Sequence, residues 1–280
     1  MSGILYLVAT PIGNLEDITF RALRVLKEVD LIACEDTRHT RKLLAHYQIS
    51  RPTISYHEHN ETERSAELIA RLEAGTNIAL VSDAGTPLIS DPGFRLVREA
   101  IEGEIQVVPI PGASALVAAL SASGLPANEF TFVGFLPARR SARREKLKEL
   151  ANLKSTLVLY EAPHRIRETI ADALAALGDR DCVLARELSK IHEQFVRAPL
   201  SEIEIPEARG EMVLIIGPPI DREARQPQAA SEQSISEEVQ KLIRSEQLDQ
   251  KSALKRVARA RGLSKSEAYR LMIAERAESK

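Results

Sequence analysis

The amino-acid sequence predicts an α/β protein with two α/β domains, a parallel sheet in the first and a mixed sheet in the second, and a small helical appendage. Short apolar runs alternate with amphipathic segments through most of the chain, which is typical of βαβ units. The length of 280 residues favours more than one domain. A polar stretch rich in Pro, Ala and Gln, residues 221–234, has the composition of a linker.

The first predicted domain is residues 1–116. Its apolar runs predict five buried strands: Ile4–Ala9, Leu31–Cys34, Thr53–Tyr56, Asn77–Ser82 and Ile105–Pro109. Amphipathic stretches between them predict four helices: Thr19–Val29, Thr37–His46, Glu61–Ala74 and Pro92–Glu102. Asp91 is expected to cap the last of these helices, with Pro92 in its first turn.

The second predicted domain is residues 117–220. Its strands are predicted at Thr131–Phe135, Ser155–Tyr160, Cys182–Glu187, Gln194–Ala198 and Glu211–Ile216, with helices near Ala142–Leu150 and His164–Leu177. The later strands follow one another without room for helices, so this sheet should be mixed.

The C-terminal segment, residues 235–280, has a helical pattern. Helices are predicted at Ile235–Glu246, Ser252–Arg261 and Lys265–Glu275, and Gly262-Leu263-Ser264 forms a turn between the last two that resembles a helix-turn-helix. Six basic residues and no acidic one lie between Lys251 and Lys265, and Arg139–Lys148 holds six against Glu145 alone. Both clusters favour a polyanionic partner, although solvated helix faces have the same composition, and a plain helical hairpin would also explain the tail.

Several classes of protein are excluded by absent motifs. The two cysteines provide no disulfide framework, and a reducing cytoplasm is expected. The apolar stretches are too short or too interrupted by Pro and Gly for a signal peptide or a membrane span. No two glycines have G-x-G spacing, and no P-loop, H-E-x-x-H or C-x-x-C occurs, so neither a common nucleotide fingerprint nor a metal site is expected.

Four loops follow predicted strands and are rich in Gly, Pro and small polar residues. They are Thr10–Leu15, Cys34–Arg38, Ser82–Ile89 and Pro109–Ala115. Ligands of open α/β sheets bind at the carboxyl ends of the strands, and Gly and Pro permit close backbone approach. Together the four loops predict a ligand pocket.

The strings in these loops resemble the tetrapyrrole-methylase superfamily, and within it the branch that methylates ribosomal RNA. The strings that carry the resemblance are Leu7–Asp17, Glu35–Arg38, Val81–Pro87, Pro111–Ser114 and Tyr160–Arg165. Many tetrapyrrole methylases have Gly-Asp-Pro where this chain has Gly85-Thr86-Pro87, and the first loop lacks their glycine-rich form. These departures count against a tetrapyrrole substrate.

The resemblance implies two α/β domains with S-adenosylmethionine in the cleft between them, usually in a homodimer. It also implies methylation of the ribose 2′-hydroxyl of a cytidine in the decoding region of 16S rRNA, within the small ribosomal subunit. Two alternatives remain: a methyltransferase acting on a tetrapyrrole or other small molecule, and a non-catalytic RNA-binding ribosome assembly factor.

The resemblance also assigns cofactor-binding residues. The methionine and ribose portions are expected against Ala9, Pro11, Asp83, Gly85, Thr86 and Ile89. Ser114 and Ala115 are expected to supply hydrogen bonds at the start of their helix, and Tyr160 and Met212 to face the cofactor. For Tyr160 and Met212, ordinary core packing is an equal alternative.

Methyl transfer to a hydroxyl requires alignment and an acceptor for the hydroxyl proton, so acidic residues of the loops are the catalytic candidates. They are Glu35, Asp36, Asp83 and Glu161, and the hypothesis is that Asp36 or Glu161 orients the 2′-hydroxyl. The cations expected to bind RNA phosphates are Arg38, Arg165, Arg186 and Lys190 near the cleft and Lys251, Lys255, Arg256, Arg259 and Arg261 in the tail. Salt bridges Glu35–Arg38 and Glu161–Arg165 are the alternative for two of them.

Overall fold

A computed structural model describes residues 2–205, 210–219, 234–246, 248–260 and 268–273. The chain forms two compact units, Met1–Pro219 and Ile220–Lys280. Both sheets lie in the first unit.

The first sheet is wholly parallel, as predicted. Its strands are β1 (Ile4–Val8), β2 (Leu31–Cys34), β3 (Thr53–Ser55), β4 (Ile78–Val81) and β5 (Gln106–Ile110), in the order β3-β2-β4-β1-β5. The connecting helices are α1 (Phe20–Glu28), α2 (Thr37–His46), α3 (Glu61–Glu73) and α4 (Phe94–Glu102), with a 3-10 turn at Leu15–Asp17. The strands β2 and β4 are buried along their whole length because helices cover both faces.

The helices are divided between the two faces of this sheet. α1 and α2 contribute Leu26 and Leu44 to one apolar cluster, whereas α3 and α4 contribute Leu68 and Leu96 to the other. The neighbouring strands β1 and β4 therefore lead into helices on opposite faces. Loops that diverge in this way leave a crevice at the carboxyl ends of their strands, where ligands bind in such sheets.

The second sheet is mixed, also as predicted. Its strands are β6 (Phe130–Phe135), β7 (Thr156–Glu161), β8 (Asp181–Arg186), β9 (Gln194–Pro199) and β10 (Met212–Ile216), in the order β6-β7-β10-β8-β9. Only β6 and β7 pair in parallel. Its helices are α5 (Ala115–Ser123), α6 (Arg140–Leu150) and α7 (Ile166–Leu177).

The two faces of the second sheet are covered differently. Leu147 of α6 and Ile170 of α7 pack in one cluster, and Ala119 of α5 packs in the other. Ile12, from the loop after β1, also packs against the α5 cluster. The loop after β1 therefore joins the core of the second sheet.

The second unit contains α8 (Ile235–Glu246), α9 (Gln250–Ala260) and a helical segment at 268–273. Its small core is formed by Ile235, Val239, Ala253, Leu254, Val257, Ala258, Ala268 and Met272. The predicted turn Gly262-Leu263-Ser264 and the predicted linker, apart from Ser234, lie outside the described residues.

The predicted cap of α4 is wrong. The helix begins at Phe94 with Gly93 at its N-cap position, and Gly93 has φ +136° and provides no side-chain cap. Glu61 of α3 instead accepts hydrogen bonds from the backbone N–H groups of Gly93 (3.4 Å) and Arg95 (3.3 Å). Asp91 accepts a hydrogen bond from the Ser82 hydroxyl, so its carboxylate is used before the helix starts.

Within the part of the chain that the structure describes, no helix combines the length and apolarity needed to cross a bilayer. The same residues contain no group of three or more His, Cys, Asp or Glu side chains placed to hold a metal ion.

Candidate functional site

The loops after β1 and β4 are joined by backbone hydrogen bonds. Thr10 N donates to Gly85 O at 2.8 Å, and Gly85 N donates to Thr10 O at 3.0 Å. The Thr10 hydroxyl also donates to Ser82 O at 2.9 Å. Gly85 has φ +85°, a conformation that favours glycine. This bridge fixes the floor of the crevice between the two strands.

The loop after β5 packs directly on the end of β1. A Cβ atom at Gly112 would lie 2.9 Å from the Cβ of Ala9, so glycine permits this approach. The Thr86 hydroxyl donates to Ala113 O at 3.1 Å and ties the third loop to the fourth. Three of the four predicted loops therefore form one connected scaffold.

A cleft of about 710 Å³ lies over this scaffold, within the size range of small-molecule sites. Seven of the ten predicted cofactor-binding residues line it: Gly85, Thr86, Ile89, Ser114, Ala115, Tyr160 and Met212. Ala9, Pro11 and Asp83 do not belong to its lining. Ala9 is 3% exposed because Gly112 covers it.

The backbone is strained in two loops beside the cleft. Leu88 and Ser90, between β4 and α4, have φ of +71° and +66°, and Glu187 and Ser189, between β8 and β9, have φ of +50° and +62°. Non-glycine residues in this region cost about 1–3 kcal/mol each and cluster at functional sites. The strain indicates that the site, and not the backbone preference of these residues, determines the conformation of the two loops.

Tyr160 connects the two halves of the cleft wall. Its hydroxyl accepts a hydrogen bond from Leu116 N in the first turn of α5 at 3.2 Å, and its ring packs edge-on against Phe132 and Phe135. Burial raises the pKa of the phenol, and the carboxylates of Asp91 and Glu211 add to this rise. The phenol therefore stays protonated and fixed in position.

Ser114 and Met212 take different places in the lining. The Ser114 hydroxyl oxygen caps α5 by accepting a hydrogen bond from Val117 N at 3.5 Å, which leaves its proton available to a ligand. Met212 borders the cleft but is 1% exposed and packs in the core of the second sheet. Core packing therefore accounts for most of its surface.

The cleft lining is acidic. Six carboxylates line it, from Glu35, Glu58, Glu61, Asp91, Glu187 and Glu211, and Lys190 is the single Lys or Arg among the described lining residues. Burial raises the pKa of Glu35, and the charges of Asp83 and Asp91 raise it further. Burial also raises the pKa of Asp91. Such a lining favours a cationic ligand over an anionic one.

Asp36 lies at the rim and is held by its neighbours. Its Oδ1 caps α2 by accepting Arg38 N at 2.8 Å, and the Arg38 guanidinium donates to both carboxylate oxygens. The Arg38 hydrogen bonds lower the pKa of Asp36 to about 2. Asp36 N donates to Asp83 Oδ1 at 3.2 Å, which ties the second loop to the third. The Asp36 carboxylate is therefore ionised and weakly basic.

The structure does not bring Glu161 and Arg165 into the cleft. Glu161 is fully buried, and its oxygens accept hydrogen bonds from Ala162 N at 2.9 Å and the Thr169 hydroxyl at 2.6 Å. Arg165 donates to Leu136 O at 2.8 Å and lies 3.4 Å from Glu161. The i, i+4 spacing brings Glu161 and Arg165 together as an ion pair. Because both side chains are largely buried, their role is structural.

The other predicted RNA-binding residues are dispersed. Lys190 lines the cleft and pairs with Glu187 at 3.0 Å, and Arg186 donates to Gln194 at 2.7 Å. In the second unit, Lys251, Lys255 and Arg256 are exposed on α9. The side chain of Arg259 and the whole of Arg261 lie outside the described residues.

Several cleft residues were missed by the sequence analysis, namely Glu58, Glu61, Asp91, Phe94, Phe135, Glu187 and Glu211. For Asp91 the sequence contains an indication of a loop position, because Ser90-Asp91-Pro92-Gly93 has the composition of a turn as much as of a helix start.

The fold and its crevice define a class of methyltransferases. The family described as Tetrapyrrole (Corrin/Porphyrin) Methylases matches residues 4–204, and the chain therefore belongs to that family. The structure resembles the crystal structure of uroporphyrin-III-C-methyltransferase from Thermus thermophilus, with TM-score 0.56 and 22% identity over 77% of this chain and 94% of that one. A structure of that enzyme complexed with S-adenyl homocysteine has TM-score 0.55 and 25% identity over 77% of this chain and 97% of that one.

Particular relatives match nearly the whole chain. A protein of Halalkalibacterium halodurans is 48% identical over 96% of this chain and 94% of its own length. A protein of Synechocystis is 48% identical over 97% and 98%, respectively. Both are named Ribosomal RNA small subunit methyltransferase I. The protein is thus a methyltransferase similar over nearly its whole length to these proteins.

Proposed function

We propose that the protein transfers a methyl group from S-adenosylmethionine to the ribose 2′-hydroxyl of a cytidine in the decoding region of 16S rRNA. The observation that carries this proposal is the extent of similarity. The methylase family match ends at residue 204, whereas similarity to the ribosomal RNA methyltransferases covers 96–97% of the chain and so continues into the basic tail. A tail shared with those proteins is expected to serve their substrate.

The cleft residues fit S-adenosylmethionine. Its sulfonium and ammonium groups are cations, which the carboxylates of Glu35 and Asp91 would stabilise. Thr86, Ser114 and Ala115 would face its polar groups, and Tyr160 offers an aromatic surface. The related structure with S-adenyl homocysteine supports the same assignment.

When bound, the cofactor would supply an electrophilic methyl group. The task of the protein is then to align the acceptor oxygen and to accept the proton that leaves it. Glu35 is the strongest candidate for the proton acceptor, because it lines the cleft and its pKa is raised. Asp36 is ionised with a pKa of about 2, so it suits hydrogen bonding to the hydroxyl better than removing its proton. Glu161 is the weakest of the three because it is buried.

RNA binding completes the proposal. Arg38, Arg186 and Lys190 in the first unit are assigned to phosphates near the target. The tail cations Lys251, Lys255, Arg256, Arg259 and Arg261 are assigned to other phosphates, outside the cleft. The active form is proposed to be a homodimer, which light scattering on the purified protein tests directly.

A small-molecule methyltransferase is the second candidate, because the solved structures of similar fold include a uroporphyrin methyltransferase. The acidic lining argues against an anionic macrocycle in this chain, since one lysine faces six carboxylates among the described lining residues.

The test is a methyl-transfer assay with labelled S-adenosylmethionine on undermethylated small subunits and, separately, on their deproteinised RNA. Alkaline cleavage of RNA requires a free 2′-hydroxyl, so label on one alkali-resistant cytidine is the expected result. Cofactor binding without transfer to either RNA substrate would point to a small-molecule acceptor. A protein that binds RNA but not the cofactor would be an assembly factor.

A further inference from the structure

The helix α2 carries an unusual set of side chains. Of its ten residues, Thr37–His46, five are basic or titratable as bases, and none is acidic: Arg38, His39, Arg41, Lys42 and His46. All five are exposed, while Thr40 and Leu44 are buried on the opposite side. We define Arg38, His39, Arg41 and Lys42 as the α2 basic face.

Three arginines on other helices of the first unit are each paired with a glutamate one turn away. The pairs Arg24–Glu28, Arg95–Glu99 and Arg98–Glu102 have distances of 2.8–3.1 Å. The same holds for the Arg139–Lys148 cluster, where Arg143 is buried against Asp172 and Arg140 also pairs with that carboxylate. The positive charge of these particular arginines is therefore already compensated.

The α2 basic face lacks this compensation. Among the described residues, its single ion pair is Arg38 with Asp36 at 2.9 Å. Arg41 donates to the Thr53 hydroxyl at 3.3 Å, and Lys42 has no carboxylate within ion-pair distance among the described side chains. An ordinary solvated helix would gain from acidic residues at i±4, so their absence indicates another source of negative charge.

The position of the face connects it to the cleft. α2 begins at Thr37, two residues after the cleft residue Glu35, and Asp36 caps it. From Arg38 to Lys42 the α2 basic face spans about 6 Å of helix axis, and its long side chains extend this reach to about two consecutive phosphates.

The helix is also fixed in place. Leu44 packs in the core, and the Tyr47 hydroxyl donates to Leu15 O at its far end. Burial and the nearby Glu16 raise the pKa of Tyr47.

We propose that the α2 basic face docks the phosphodiester backbone of the RNA strand beside the target nucleotide. Its cations would hold phosphates outside the cleft, whose acidic lining repels them, while the ribose alone reaches Glu35. This inference rests on the proposed function and names the RNA surface next to the same site. It differs from the tail assignment because it acts at the rim and sets the register of the strand.

The test compares a double variant, Arg41→Gln/Lys42→Gln, with a control of equal charge change, Arg24→Gln/Arg98→Gln. The probe is a transcript of the small-subunit RNA that contains the decoding region. In the α2 variant, affinity should fall about tenfold, and the slope of log K against log salt should decrease by about 1.5 because two phosphate contacts are lost. Cofactor affinity should not change, and the control should match wild type.

Two further measurements separate the outcomes. Lys42→Arg should retain the salt slope, and the thermal midpoint of each variant checks that loss of the Arg41–Thr53 contact has not unfolded the chain. A wild-type salt slope in the folded double variant would overturn the proposal, even if wild type methylates the RNA. Failure of wild type itself to bind or methylate the RNA would instead remove the proposed function.

Discussion

The hydroxyl of Tyr160, near the end of β7, accepts a hydrogen bond of 3.2 Å from the backbone N–H of Leu116 in the first turn of α5. A helix terminus has N–H groups without partners in the helix, and this contact satisfies one of them. The same ring faces the cleft. A single side chain therefore sets the position of α5 relative to the second sheet and forms part of the ligand wall.

Tyr160→Phe should remove this hydrogen bond while retaining the ring. We expect stability to fall by about 0.5–1.5 kcal/mol and cofactor affinity to weaken about threefold to tenfold, because α5 loses its fixed position. Calorimetric titration with S-adenosylmethionine measures the second effect. Tyr47→Phe is the matched control, since the Tyr47 hydroxyl bonds Leu15 O outside the cleft. Equal cofactor affinity in both variants would contradict the assigned role.

Glu35→Gln should lower the rate of methyl transfer by about 10²–10⁴-fold if Glu35 accepts the hydroxyl proton. The base must be ionised, and its pKa is raised above 4.5, so the wild-type rate should rise with pH through a limb above that value. The variant should lose this limb. A pH profile of single-turnover rates measures this limb. If the variant retains the limb, another group accepts the proton.

The same carboxylate should also affect stability, with a defined sign. A raised pKa means that the folded state binds the proton more tightly than the unfolded state does, so stability declines as pH rises through the two pKa values. Glu35→Gln should therefore raise the thermal midpoint at pH 7 and leave it unchanged well below pH 4. A higher thermal midpoint at neutral pH together with slower methyl transfer would show that the Glu35 carboxylate serves function and not stability.

Arg143→Ala should destabilise the first unit strongly. Arg143 and Asp172 are both almost fully buried and 2.8 Å apart, and removal of one partner of a buried pair costs about 3–5 kcal/mol. Burial alone would raise the pKa of Asp172, but hydrogen bonds from Arg143 and Arg140 outweigh it and lower the pKa below 3.8.

Urea unfolding of Arg143→Ala measures the loss. In wild type, the stability from Asp172 is present above pH 3.8 and is lost as pH falls through the lowered pKa. In the variant, acid unfolding should begin at higher pH. Arg144→Ala is the control, because Arg144 is half exposed and 3.8 Å from the carboxylate, and it should cost less than about 1 kcal/mol.

Lys251→Gln/Lys255→Gln should weaken RNA binding and reduce its salt slope by about 1.5, with no change in cofactor affinity. Both lysines are exposed on α9 in the second unit. Binding isotherms at several salt concentrations measure the slope, and Arg24→Gln/Lys27→Gln on α1 supplies the same charge change elsewhere. If the salt slope equals that of the control, the tail has a packing role and does not bind RNA phosphates.

The sequence predicted the parallel and mixed sheets because buried strands such as Ile78–Val81 and Met212–Ile216 are continuous apolar runs. The sequence did not predict the long-range contacts. The Asp91 cap failed because Glu61, 30 residues earlier, occupies that role. Asp36 and Glu161 both follow predicted strands, yet only the structure distinguishes a partly exposed carboxylate from a buried one.

The charge of the basic clusters also depends on long-range contacts. Arg139–Lys148 looked like a binding surface in the sequence, but Asp172 and Glu168 of α7 take up the charge of Arg143. Arg41 and Lys42 lie outside both predicted basic clusters, because the sequence does not show which cations lack a carboxylate partner. Free positive charge depends on which carboxylates fold against it, and that information is tertiary.

The bridge between Thr10 and Gly85 consists of backbone hydrogen bonds alone. Its geometry needs a glycine at position 85 but places almost no demand on the side chains that follow in the loop. The Ile89 side chain can therefore change without breaking the bridge, whereas Thr86 is held by its hydrogen bond to Ala113 O. A backbone frame of this kind lets a methyltransferase vary the side chains that contact its acceptor while the place of methyl transfer stays constant.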